Sequence, residues 1–130
     1  MPWVEIFAVF AMCHLVGDFA LQTEWQAQHK RGGLGPDPTA RRALVTHVTT
    51  YTLAFVPALI WLWDSIGGAA LAVAAVIFAT HLIQDDGRLI DSWMQLVKHT
   101  TTDDRPLVAV MVDQTFHVLL LFAVALVAAS

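Results

Sequence analysis

Four long apolar segments, separated by polar connections, dominate the pattern of this chain. They cover about residues 2–22, 39–63, 69–88 and 106–129. A helix needs about 20 apolar residues to cross the roughly 30 Å hydrocarbon core of a bilayer, and each segment meets that length. The pattern therefore predicts an all-α integral membrane four-helix bundle, built as a single transmembrane domain over residues 1–130.

Helix-start and helix-break signals place the ends of these segments. Thr39 is a suitable N-cap for the second span, and Pro106 occupies a preferred first-turn position of the fourth. Pro57 lies within the second span and should kink it, because proline removes a backbone donor and crowds the preceding turn. Residues Met1 to Met12 contain no Lys or Arg, so we expect the first segment to be retained as a span rather than cleaved as a signal peptide.

The connections between the spans differ in length and character. Residues 23–38 contain several glycines and prolines and are predicted to be a loop, whereas residues 64–68 (Asp-Ser-Ile-Gly-Gly) predict a tight turn. Between the third and fourth spans, Leu89–Lys98 has apolar residues at helical spacing but is too short and too polar to cross. We expect a short amphipathic helix in the membrane interface at this place.

The basic residues indicate the orientation in the membrane. All seven lie in or beside the connections after spans one and three, and none lies at a terminus: Lys30, Arg31, Arg41, Arg42, Arg88, Lys98 and Arg105. By the positive-inside rule, loops 23–38 and 89–105 are cytoplasmic and both termini lie outside. We expect a multi-pass protein of the bacterial inner (cell) membrane.

Composition supports a membrane protein and narrows its partners. Hydrophobic residues make up 57% and charged residues 14% of the chain, with a mean hydropathy of +0.61 and a formal net charge of -4. A soluble domain averages about 25% charged residues. Membrane lipid is therefore the expected environment, and no nucleic-acid partner is indicated. The single Cys13 cannot form an internal disulfide and is expected to be a packing residue.

Seven acidic and imidazole side chains lie inside the apolar segments, where an aspartate costs on the order of 2.5–3.5 kcal/mol. Six of them form pairs four residues apart, which places both members of a pair on one helix face. With the orientation above, all seven fall at a similar depth near the cytoplasmic side: His14, Asp18, His47, His81, Asp85, Asp113 and His117.

These residue types are ligands for divalent transition metals. Imidazole and carboxylate groups suit zinc, iron or manganese, and seven ligands exceed the needs of one tetrahedral ion. We therefore predict a centre for one or two ions, with Asp18, Asp85 and Asp113 as the candidate catalytic residues. The alternatives without a metal are buried hydrogen-bonded pairs that join the helices, or a proton relay.

An internal repeat links the two halves of the chain. Residues 14–18 and 81–85 share the pattern H-L-[VI]-x-D, and each is followed in the next span by a histidine, His47 or His117. A duplication would give two parallel helical-hairpin repeats around an axis along the membrane normal. Asp113 has no counterpart, because Ala43 occupies the equivalent position. The predicted centre is thus pseudo-symmetric in position but not in chemistry.

Other polar residues are assigned to the surroundings of this centre or to the connections. His29 and His99 lie in polar connections and are expected to be solvated. Five residues within helical reach of the imidazoles are candidate hydrogen-bond partners: Gln22, Thr46, Thr50, Gln84 and Gln114. The basic residues are expected to be topology signals, with contact to a substrate phosphate as the alternative for Arg41, Arg42, Arg88 and Arg105.

The opening His14–Gln22 (H-L-V-G-D-F-A-L-Q), with the later His47, His81/Asp85 and Asp113–His117, resembles a family of small bacterial and phage integral membrane proteins catalogued as a domain of unknown function. The resemblance covers nearly the whole chain and rests on an H-x-x-G-D-F-x-L-Q opening motif. It implies a compact four-span membrane protein and no particular activity. More distantly, the chain is similar to inner-membrane metal-dependent hydrolases, which also place His and Asp in short spans.

Three functions are compatible with these features. The favoured one is a membrane-embedded metal-dependent hydrolase that acts on a lipid-like phosphoester or acyl substrate at the cytoplasmic leaflet. The alternatives are a transporter or channel for a divalent cation or protons, and a haem- or pigment-binding accessory subunit of a larger membrane complex. Small residues at 67–70 (Gly-Gly-Ala-Ala) also permit a homo-oligomer.

Overall fold

The computed structural model describes all residues, Met1–Ser130, and contains only helices and their connections. The seven α-helices are α1 (Trp3–Leu15), α2 (Glu24–His29), α3 (Pro38–Ala54), α4 (Val56–Ile66), α5 (Ala69–Asp85), α6 (Arg88–Leu96) and α7 (Pro106–Ala129). A π-helical segment, Val16–Ala20, continues α1 and ends with a 2.9 Å hydrogen bond from Leu21 N to Val16 O. The all-helical expectation is confirmed.

Several helices have the length and composition of membrane spans. The stretch Trp3–Ala20 and α7 are each long and apolar enough to cross a bilayer. The count rises to four if α3 with α4, and α5 with α6, are each taken as one bent span. Large apolar side chains are exposed along these helices, among them Met12, Ile60, Leu71 and Leu119. Such an exterior is typical of helices that face lipid rather than water.

Both bends have a cause in the sequence. α3 and α4 meet at an angle of 53° around Phe55, two residues before Pro57, which confirms the predicted kink. α5 and α6 meet at 56°, and Gly87 lies between them with a φ of 91°. This left-handed conformation favours glycine, and it ends the predicted third span at Asp85 rather than at residue 88.

The structure corrects three predicted boundaries. Residues 23–38 are not only a loop, because Thr23 and Gln26 form a reciprocal capping box that starts α2. The N-cap of α3 is Asp37 rather than Thr39, since the Asp37 side chain accepts a hydrogen bond from the Thr39 amide. The tight turn is confined to residues 67–68, because α4 continues through Asp64 to Ile66.

The bundle has four long helical units: α1 with the π-helical segment, α3 with α4, α5, and α7. Each unit packs beside two others. α1 packs against α7 and α3, and α5 packs against α3 and α7. We call the end of the bundle that holds Asp18, Asp85 and Asp113 the polar end. The opposite end, called the apolar end, is filled by one buried cluster: Ile6, Phe10, Phe55, Ala58, Leu62, Ile77, Leu121 and Ala125, with Tyr51 at its inner boundary.

Candidate metal centre

Four side chains from three helical segments converge on one buried point at the polar end. His47 of α3 and His81 of α5 face each other with their Nε2 atoms 3.0 Å apart. Asp18 Oδ1, from the π-helical segment, lies 3.2 Å from both nitrogens. Asp85 Oδ2 lies 2.9 Å from His47 Nε2 and 3.1 Å from His81 Nε2. All four residues are buried.

The directions of these groups fit a shared cation better than hydrogen bonds among themselves. Asp18 Oδ1 is buried and accepts no hydrogen bond, although two imidazole nitrogens lie 3.2 Å away. A single N–H between the two imidazoles cannot also serve both carboxylates. The four atoms therefore lie close together with too few donors to satisfy them, as ligand atoms do around a metal ion.

The spacing of the four atoms is close to that of a tetrahedral site. A tetrahedron whose ligands lie about 2.1 Å from a zinc ion has edges of about 3.4 Å. The five separations given above range from 2.9 to 3.2 Å. An ion therefore fits between these atoms after an outward shift of a few tenths of an ångström.

Asp85 connects this group to a second set of candidate ligands. Its other oxygen, Oδ1, lies 3.2 Å from Nε2 of His117, and Asp113 completes a set of three. His117 Nδ1 donates to the Asp113 carbonyl over 2.7 Å, which leaves the Nε2 lone pair directed towards Asp85. That Nε2 atom is buried without a hydrogen-bond partner. One carboxylate shared between two sets of ligands is an arrangement suited to two ions.

His14 lies beside the centre but outside both sets of ligands. Its Nε2 donates to Gln114 Oε1 over 2.8 Å, so its Nδ1 is the acceptor for the Tyr51 hydroxyl, 2.9 Å away. Gln114 in turn donates to Asp18 Oδ2 at 3.4 Å and to Asp113 Oδ2 at 3.3 Å. Both nitrogens of His14 are therefore engaged, and the residue serves to position Gln114 and Tyr51.

Tyr51 determines the orientation of a second histidine. Its ring stacks on His81, with centroids 3.5 Å apart and planes 9° from parallel. Metal-binding histidines usually donate their outer N–H to an oxygen acceptor, but Nδ1 of His81 and of His47 has no partner within the chain. Stacking on Tyr51 thus fixes the His81 ring in place of a hydrogen bond.

One lysine partly neutralises the carboxylates. Lys30 Nζ donates to Asp85 Oδ2 and to Gln22 Oε1, both at 2.6 Å. Three carboxylates against one ammonium leave a net charge of -2 when the histidines are neutral. Buried charge that is left unbalanced is costly, and a divalent cation would compensate it.

A cavity of about 370 Å³ leads from the surface to this centre. Asp18, Asp85 and Asp113 line it on one side, and Lys30 and Arg31 line it on another. Asp113 is the most accessible of the three acids, with 25% of its side chain exposed, against 6% for Asp18 and 2% for Asp85. A ligand that enters the cavity therefore contacts Asp113 and the side chains of Lys30 and Arg31, next to the candidate metal sites.

The predicted polar contacts around the centre are only partly correct, both for the hydrogen-bond partners of the imidazoles and for the arginines. Of the five proposed polar partners, Gln114 alone contacts an imidazole. Thr46 and Thr50 instead donate to carbonyls of their own helix, Gln22 binds Lys30, and Gln84 Oε1 has no partner. None of the four arginines considered for phosphate contact lines the cavity: Arg41, Arg42, Arg88 and Arg105.

Sequence reasoning missed two residues that belong to the site. Tyr51 follows His47 by four residues, so helical spacing alone placed it on the same face. Lys30 carried no comparable signal, because it reaches Asp85 only through the fold of the connection after α2.

Comparison with known families supplies the class of this chain. It belongs to the family described as protein of unknown function (DUF3307), whose model matches residues 6–130. This match confirms the resemblance to a family of unknown function. The matched range contains every candidate ligand. Searches of curated proteins and of solved structures give no match.

Proposed function

We propose that this protein is a multi-pass membrane protein with a dinuclear metal centre that hydrolyses an amphiphilic substrate at one membrane surface. The convergence of four buried ligand atoms from three helical segments is the observation that carries this proposal. One ion would be held by His47, His81, Asp18 and Asp85, and a second by Asp85, Asp113 and His117. Zinc, iron or manganese suits these ligands.

The membrane part of the proposal uses four crossings. The apolar stretches Trp3–Ala20, α3 with α4, and α7 would span the bilayer. α5 would cross alone, since its 17 residues are at the lower limit for a span, and α6 would lie in the interface. By the positive-inside rule, the polar end would lie at the cytoplasmic side of a bacterial inner membrane, with both termini outside. The cavity would open into the cytoplasmic headgroup layer, where a lipid-like substrate is available.

The residues on the cavity suit hydrolysis. A divalent ion supplies Lewis-acid activation of water and of the bond to be cleaved. Asp113 is the favoured general base, because it is accessible from the cavity and held by Gln114. Water oxygen would form the new bond to phosphorus or carbonyl carbon, and the proton taken by Asp113 would pass to the departing oxygen. Asp18 and Asp85 would act only as ligands, whereas Asp113 would bind the second ion through one carboxylate oxygen and take the proton with the other.

The two alternative functions receive less support from the packing. Transport would require a path through the apolar end, which is filled by fully buried side chains such as Phe10, Phe55 and Leu62. A haem between two imidazoles would require a flat space between His47 and His81, but their nitrogens are 3.0 Å apart with carboxylates beside them. Hydrolysis is therefore the function we retain.

Elemental analysis of the purified protein in detergent tests the metal centre. We expect about one to two equivalents of zinc, iron or manganese, and loss of the metal in His81→Ala, because this imidazole faces both carboxylates of the first set. His29→Ala is the matched control, since His29 is exposed and lies outside the centre. Metal-free wild-type protein whose stability is unchanged by a chelator would contradict the proposal.

A further inference from the structure

The wall of the cavity combines a cationic side with an apolar side. Lys30 and Arg31 approach from the connection after α2. Ile90 of α6, with Pro106 and Val110 of α7, forms an apolar surface beside them. A ligand that fills the cavity would therefore contact positive charge at the centre and hydrocarbon along α6 and α7.

The cationic side is held in place by the corner between α5 and α6. The backbone amide of Gly32 donates to the Asp86 carbonyl, and that of Leu34 donates to Asp86 Oδ1, both over 2.8 Å. Asp86 is buried, and Arg31 forms an ion pair with Asp91 of α6. These contacts attach residues 30–35 at several points, so the position of Lys30 over Asp85 is set by the fold.

Lys30 retains capacity for a ligand. An ammonium group has three donors, and the Lys30 ammonium uses two of them on Asp85 and Gln22. Its side chain is 18% exposed and lines the cavity. The third donor is therefore available to an anionic oxygen that enters beside the centre.

The charge of the cavity depends on the metal. The three carboxylates and Lys30 carry a net charge of -2, and two divalent ions would change this to +2. An anion would be repelled before the ions bind and attracted afterwards. A neutral acyl ester has no charge to match this surplus, whereas a phosphate ester does.

From this placement we infer that the cavity binds the phosphate group of a lipid phosphoester, with Lys30 as a direct phosphate ligand and the apolar wall in contact with the lipid chain. This inference rests on the proposed metal centre. It selects phosphoester over acyl ester as the substrate class and assigns a role to Lys30.

Binding measurements on the intact protein in detergent test the inference. Inorganic phosphate is titrated into metal-loaded and chelator-treated wild type by calorimetry, with metal content measured on the same samples. We expect phosphate binding only in the metal-loaded protein. Lys30→Met should weaken it by about 10- to 100-fold, the range for loss of one charge-assisted hydrogen bond. Lys98→Met is the matched control, because Lys98 is exposed and does not line the cavity.

The possible results separate this inference from the proposed function. Wild type that holds no metal overturns both. Wild type that holds metal but does not bind phosphate, or binds it equally in Lys30→Met, overturns the phosphate site alone. Loss of metal together with phosphate in Lys30→Met also counts against it, since Lys30 would then act only by holding Asp85.

Lipid probes test the second part of the inference. Dioctanoyl phosphatidic acid should bind more tightly than inorganic phosphate because of the apolar wall, and dioctanoylglycerol, which lacks the phosphate, should bind more weakly than either. Equal affinity for phosphatidic acid and inorganic phosphate would overturn the lipid chain contact and favour a free phosphate ester. Equal affinity for the two lipids would overturn the phosphate contact.

Discussion

At the apolar end of the bundle the helices meet through side chains such as Phe10, Phe55 and Leu62, whereas at the polar end they meet through imidazoles, carboxylates and a lysine. The same helical units contribute to both ends, and the polar end adds the π-helical segment, α2 and α6, so the two ends differ in side chains and in local backbone. Packing at the apolar end consists of shape-matched contacts between hydrocarbon groups. At the polar end, by contrast, charged side chains lie close together. Whether their charges are balanced depends on the ions that this end binds.

This difference predicts that the two ends respond differently to substitution. In lipid, separating two apolar helix faces costs little transfer energy, because lipid tails are as apolar as the side chains. Unbalanced charge, in contrast, is costly at any buried position. Substitutions at the polar end should therefore change stability and metal content together, and equivalent substitutions at the apolar end should leave metal content unchanged.

The largest effect is expected at Asp85, which is shared by both sets of ligands. Asp85→Asn removes the counter-charge that faces His47, His117 and Lys30. We expect loss of all bound metal and a destabilisation of about 3–5 kcal/mol, the cost of breaking a buried ion pair. Elemental analysis and unfolding by denaturant in detergent micelles measure the two effects.

Asp64→Asn is the control for this substitution. Asp64 lies at the apolar end and is exposed, so its replacement should change neither metal content nor stability by a measurable amount. If Asp85→Asn retained full metal content, the shared carboxylate would have no role as a ligand.

Much of the polar end was predictable because helical spacing alone brings i and i+4 positions together. His81 and Asp85 behave in this way, since both lie in α5 and their Nε2 and Oδ2 atoms are 3.1 Å apart. Pro106 likewise marked the start of α7. The charge of the aspartates also predicted that they face the bundle interior, because a charged side chain on a lipid-facing surface is costly.

The arrangement around His14 could not be predicted in the same way. The π-helical segment after α1 inserts an i to i+5 hydrogen bond, which changes the rotation between His14 and Asp18 relative to an α-helix. Asp18 therefore belongs to a candidate ligand set and His14 does not, although their spacing equals that of His81 and Asp85. No local sequence signal distinguished the two segments.

The two repeats differ in the hydrogen-bond partners that other helices provide to their first histidine. Tyr51 and Gln114 hold His14, and at the corresponding positions of the other half stand Leu121 and Leu44. These partners come from α3 and α7, which are distant from His14 in sequence. The unsymmetric chemistry that Asp113 indicated thus extends to two further pairs of equivalent positions.

An intermediate effect is expected at Gly17, where the π-helical segment lies close to α3. A Cβ atom at Gly17 would lie 2.6 Å from Cδ2 and 3.2 Å from Cα of Tyr51, so Gly17→Ala must push the π-helical segment away from α3. We expect a destabilisation of about 1–3 kcal/mol, typical of overpacking, and weaker metal binding because Asp18 and Tyr51 move. Thermal unfolding and metal titration measure the change.

The matched substitution at the apolar end is Gly68→Ala. A Cβ atom there meets nothing within 4 Å, and Gly68 has an ordinary right-handed helical conformation with a φ of -59°. Stability and metal affinity should both stay close to wild type. Equal loss in the two variants would show that the effect at Gly17 does not come from crowding against Tyr51.

The smallest effect is expected at the boundary between the two ends. Tyr51→Phe removes the hydroxyl that donates to His14 Nδ1 but keeps the ring that stacks on His81. We expect a loss of about 0.5–1.5 kcal/mol, the usual value of one neutral hydrogen bond, with metal content unchanged because His14 lies outside both candidate ligand sets. Tyr51→Leu, which also removes the aromatic ring, should in addition weaken metal binding through His81. If Tyr51→Phe alone released the metal, then His14 would belong to the ligand set, and the boundary between the two ends would lie closer to Phe55.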